Sequence, residues 1–143
     1  MTQTAHQAIR DAIVTLLQAS PALAGGRVVA NRRRPMAAQD ASQVYVYLET
    51  SDATQNLVNK IDWRTRIRIE CVARSVTGTS AEDAADALAS AAYARITADP
   101  TLGGKAVEIE VQALGWFEDE ADTALAACQQ VLSVWHQTET TSL

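Results

Sequence analysis

Cysteine is nearly absent from this chain: two residues in 143, Cys71 and Cys128, distant from each other and in no CxxC or Cys/His spacing. That excludes a disulfide-stapled scaffold and a cysteine-bound zinc site. Both lie in strand-like runs, where a lone thiol behaves as a small buried hydrophobe. Long apolar runs are missing as well. No stretch approaches the roughly 18 residues that a membrane-spanning helix requires, and the opening MTQTAHQAIRD holds no signal-peptide core. A soluble, intracellular protein without a membrane partner is expected. Positive charge is in deficit: 12 Lys and Arg against 17 Asp and Glu leave a net charge of −5. That sign argues against nucleic acid as the main ligand, because neutralising phosphates needs a basic surface.

Catalytic vocabulary is equally sparse. The sequence holds no GxSxG, Gly-rich phosphate loop, HExxH or EF-hand pattern. Its two histidines, His6 and His136, have no second ligand nearby at metal spacing, and a surface position is expected for both. No catalytic residue, cofactor or metal ion is expected, and the chain is not read as an enzyme.

What the sequence does have is alternation. In Asp62–Ala73, DWRTRIRIECVA, Trp63, Thr65, Ile67, Ile69 and Cys71 point one way and Arg64, Arg66, Arg68 and Glu70 the other. One face of this strand must lie against helices. The arginine face cannot be buried unpaired, since desolvating a guanidinium costs several kcal/mol. It faces water, an acidic neighbour or another protein.

The rest of the chain falls into place around that strand. Residues 5–19 predict an amphipathic helix with Ile9, Ala12, Ile13, Leu16 and Leu17 on its stripe and His6, Gln7, Arg10, Asp11 and Gln18 opposite. Ser20-Pro21 stops it. The corner ASPALAGGR (19–27) is echoed by ADPTLGGK (98–105): both leave a helix through Gly-Gly and enter a strand, by duplication or by shared exit chemistry. Arg27–Ala30 and Val44–Leu48 read as strands, 31–42 as a loop, and 50–60 as a long polar hairpin connection. Thr79 or Ser80 caps a second, Ala-rich helix with Ala84, Ala85, Leu88, Ala91, Ala92 and Ile96 inward. Ala106–Leu114 alternates with Val107, Ile109, Val111 and Ala113 opposite Glu108, Glu110 and Gln112. Gly115–Asp122 reads as an acidic turn, and Ala124–Gln137 as a last strand, apolar on both faces and suited to an inner position or to one covered by a partner.

The expected architecture is one α+β domain spanning 1–143, with 138–143 frayed. A single largely antiparallel or mixed sheet carries two helices on one face, in the order α-β-β-β-α-β-β. Were the Arg-faced and Glu-faced strands neighbours, their charges would complement each other. Two loop patches stand out as partner-binding candidates: Arg32, Arg33 and Arg34, and the acidic set Glu118, Asp119, Glu120 and Asp122. The first suits phosphate or a subunit salt bridge. The second has carboxylates that suit a hard cation, but no calcium-loop spacing.

Asp62-Trp63 opening an alternating strand that ends Ile69-Glu70-Cys71-Val72, an Ala-rich helix closed by Asp99-Pro100-Thr101-Leu102, and Gly115-Trp116 before an acidic turn together resemble the tail terminator, or tail completion, proteins of long-tailed phages. The resemblance covers about residues 5 to 138; the 31–42 loop has no counterpart in it. It implies a structural protein of the virion tail, present in the host cytoplasm during assembly. Such a protein forms a hexameric ring with itself, caps the tail-tube protein and offers the head-side neck, or connector, a joining surface. Sequence-specific nucleic-acid binding is not implied. A small enzyme subunit or regulatory domain, and a nucleic-acid-binding module using the arginine face, remain alternative readings of the residues.

Overall fold

The computed structural model describes residues 3–31, 36–118 and 124–143. Its elements are α1 (Ala5–Gln18), a short 3-10 turn at Leu23–Gly26, β1 (Val28–Ala30), β2 (Ser42–Asn56), β3 (Lys60–Arg74), α2 (Ala81–Thr97), β4 (Glu108–Glu118) and β5 (Leu125–Glu139). The five strands form one sheet in the order β1-β2-β3-β5-β4. β1 runs parallel to β2 and every other pair is antiparallel. This is the expected α+β order, with both helices on one face. No helix among the described residues is long and apolar enough to cross a membrane.

Capping and patterning explain the helices. The Thr4 hydroxyl accepts from the Gln7 amide at 3.2 Å, and the Ser80 hydroxyl from the Asp83 amide at 3.1 Å, each satisfying an amide that the first turn leaves unpaired. Ile9, Ile13 and Leu17 of α1 meet Val28, Val44 and Val46. Ala85, Ala89, Ala92 and Ile96 of α2 close over Ile67, Ile69, Cys71, Cys128, Leu132 and Val134. The strand residues are alternate ones, so the sheet's helix face is continuous and dry. Ala91, expected inward, is exposed, and Ala89 takes its place. The two Gly-Gly corners share their backbone: Ala24, Gly25 and Gly26 have φ of 50, 63 and 87°, and Leu102, Gly103 and Gly104 of 49, 69 and 92°. That left-handed run is what requires the paired glycines. Arg95 ties the first corner to α2 by donating to the carbonyls of Leu16, Ala19 and Pro21.

Five expectations are corrected. Residues 50–56 are strand, not loop: β2 continues against β3 as far as Asn56↔Ile61, with register shifts after Leu48 and Ala53. The turn shrinks to 57–59, closed by the Leu57 amide donating to the Lys60 carbonyl at 2.7 Å. This arm lacks apolar alternation because it runs past the helices, and backbone pairing holds it together with hydrogen bonds from Ser51 to Thr65 and from the Thr54 hydroxyl to the Asp62 carbonyl. Residues 115–118 are likewise strand rather than turn. A bulge between Val111 and Ala113 then resets the alternation of β4. Val111, expected in the core, keeps its helix-side place opposite the buried Leu132 yet is 42% exposed because α2 stops short of β4. β5 lies between β3 and β4, so the Arg and Glu faces are not neighbours. His6 and His136, expected on the surface, are buried.

Candidate assembly surface

The arginine face of β3 is largely answered within the chain. Glu49, on β2, approaches Arg68 Nε at 3.5 Å and Arg66 Nε at 3.8 Å. The guanidinium of Arg68 lies 4.4 Å from the Tyr47 ring centroid, and that of Arg64 5.1 Å from Trp135, a cation over an aromatic face in each case. Glu70, next along the face, is buried and accepts from Gln129 at 3.3 Å. The acidic complement expected from β4 is thus supplied by β2.

Of the predicted patches, Arg32, Arg33, Arg34, Asp119, Glu120 and Asp122 lie outside the described residues. Glu118 is the last residue of β4 and is exposed. The strands from which the two patches issue stand at opposite ends of the sheet order, β1 at one edge and β4 at the other.

Sequence reasoning missed the surface beside β4. Helix α2 covers β3 and β5 and leaves β4 uncovered, so Tyr93, Val107, Val111, Leu114, Trp116 and Phe117 are each between 40% and 54% exposed. A groove of about 400 Å³ runs between α2 and β4 over Ala89, Tyr93, Val111, Leu114 and Trp116. Trp116 closes one side by donating its indole N–H to Asp86 Oδ1 at 2.9 Å. At its floor Gln130 donates to the Ala89 carbonyl at 3.1 Å, while its Oε1 is buried without a donor among the described residues. The carboxylates of Asp86 and Glu118 lie beside it, while Glu108 and Glu110, opposite Trp135 and Ser133 in the ladder, point to the other face of β4. An apolar strip of this kind along an open strand edge marks an interaction site, because natural sheets otherwise blunt such edges. The signal was present in the sequence. Val111, Leu114, Trp116 and Phe117 cannot all sit on one face of a strand, and no flanking helix is available to cover the surplus.

A polar cluster sits under the start of α1. Thr65 Oγ1 lies 2.8 Å from Ser51 Oγ and 2.6 Å from His136 Nε2. The His6 ring stands edge-on to both Trp63 and His136 at 4.8 Å between centroids. Burial and the neighbouring His6 push His136 down to about 4, and burial lowers His6 as well. Both rings are therefore neutral at pH 7. No group of three metal-ligating side chains occurs among the described residues, and the pair serves packing. The two cysteines are free and buried, and burial foremost raises the thiol of Cys71 to about 12.

No protein-family model and no curated protein matches the chain. Among solved structures it is similar to a chain of the virion of a native gene transfer agent particle, with a TM-score of 0.55 and 15% identity. The match covers 91% of this chain and 95% of that one. At that identity the likeness shows a shared fold along nearly the whole of both chains.

Proposed function

We propose that this chain is a phage-derived virion structural protein acting as a tail terminator: a hexameric ring that caps the tail tube, stops its growth and presents the surface to which the head-side neck joins. The observation that carries this reading is the end-to-end fold likeness to a chain of a gene transfer agent virion. The motif order ending in Gly115-Trp116 supports it, as does a sheet whose edges differ: a ring pairs two unlike patches on each subunit. In this reading the Arg32–Arg34 segment and the Glu118–Asp122 segment serve opposite sides of the lateral contact. Its partners are further copies of itself, the tail-tube protein and the neck, and it carries no catalytic step.

The test is tail length. Removing the gene from a particle-producing strain should yield overlong tails without heads, and restoring it should return normal ones. Tails of normal length without the protein contradict the reading. Reversing Arg32, Arg33 and Arg34 to Glu should reproduce the overlong tails and leave thermal unfolding nearly unchanged.

A further inference from the structure

We propose that the β4 edge with the α2–β4 groove is a docking surface for the β1 edge of a second copy of this chain. The proposal rests on the ring reading in placing copies side by side, and the residues in contact follow from the fold itself. Counted across the ladder, Val28 lies level with Val44, Cys71, Cys128 and Trp116, and Ala30 with Val46, Ile69, Gln130 and Leu114. The three-residue β1 therefore stands at the height of the groove, at the opposite end of the sheet. The two edges also run in opposite directions: β1 is parallel to β2, and each later step across the sheet reverses the strand. A rotation about an axis along the strands preserves these directions. It brings β4 of one copy antiparallel to β1 of the next, and the sheet continues across the boundary.

The chemistry of the two edges agrees with this docking. β4 offers an open strand edge, the apolar side chains of Leu114 and Trp116 on its helix face with Glu118 beside them, and Glu108 and Glu110 on its other face. Gln130 Oε1 has no donor among the described residues. The β1 edge offers an exposed Val29 and the part-exposed guanidinium of Arg27, whose Nε already donates to the Ser42 carbonyl at 2.8 Å and lies 3.8 Å from Asp40. Its Val28 carbonyl accepts from Gln18 at 2.7 Å, a contact the incoming strand would replace. Two β4 edges facing each other would oppose like charges, which disfavours a two-fold pairing of that edge.

Cysteine cross-linking distinguishes these arrangements. Val29→Cys and Ala113→Cys place thiols at exposed positions on the two edges. The native Cys71 and Cys128 are buried and do not compete for a maleimide. With a short bismaleimide at high protein concentration, a mixture of the two variants should give a cross-linked product joining one of each, and neither variant alone should do so. Adding Leu114→Asp to the Ala113→Cys chain should abolish the product without shifting the unfolding midpoint. Cross-linking of Ala113→Cys to itself, absence of the mixed product, or its survival in the Leu114→Asp chain overturns the proposal. Tail length with the same variants separates the two claims. Normal capping without the mixed product removes this contact and leaves the terminator reading standing. The mixed product in a protein that never caps tails does the reverse.

Discussion

Ile67 and Ile69 illustrate what a single residue contributes here. Both are fully buried on the helix face of the central strand β3, among side chains from both helices. Truncating either to alanine should cost about 2–5 kcal/mol, because the close-packed surroundings cannot collapse into the cavity. Chemical denaturation reads the loss, and a change below about half a kcal/mol would mean that the site repacks. His136 makes a pH-dependent contribution. Its folded value of about 4, and the lowered value of His6, lie below the 6.5 of the unfolded chain. The unfolded state thus binds protons first as pH falls. The stability held above pH 6.5 should decline as pH falls from 6.5 to about 4, the upper part of that window lying above most carboxylate titrations. Urea midpoints at pH 7.5, 6.0 and 5.0 measure this, and His136→Gln should flatten the slope. The faces of β3 were legible because alternation assigns each residue a side. The burial of His136 was not, because its partner Thr65, itself bonded to Ser51, lies far away in sequence and no local pattern announces it.

At the scale of elements, helices and central strands were readable from apolar period and caps, and the edges were not. The arm formed by residues 50–60 shows why. Asp52, Thr54 and Gln55 carry no apolar stripe because they are exposed beyond the helices, so periodicity has nothing to report, and the ladder from Thr50↔Arg66 to Asn56↔Ile61 supplies the order instead. Amides on both strands of this arm that bond across the ladder should exchange slowly in the free chain, and those at 57–59 fast. Uniformly fast exchange over 50–56 would show that the arm opens without a partner. The bulge in β4 had a comparable effect. One inserted residue turned a regular-looking alternation into a strand that is apolar toward the groove at Val111, Leu114 and Trp116. Of the predicted partner-binding residues, only Glu118 falls within the described part, and the groove beside it was legible only by setting the surplus of apolar residues in β4 against the two helices available to cover them.

The whole molecule is a sheet with two unlike edges, one short and flanked by Arg27, the other long, apolar and bordered by carboxylates. Charged contacts at the rim of an interface are individually weak and screened by salt. Free subunits should therefore remain monomeric or weakly associated at low concentration. Closing a ring multiplies contacts that a pair cannot make, and a tube end would gather the copies needed. The measurement that tests this account most directly is electron microscopy of purified protein added to uncapped tail tubes. A six-fold ring seated on tube ends, with no further tube growth when tube subunits are supplied, is the predicted result. Tubes that keep elongating in its presence, with no ring at their ends, would contradict it.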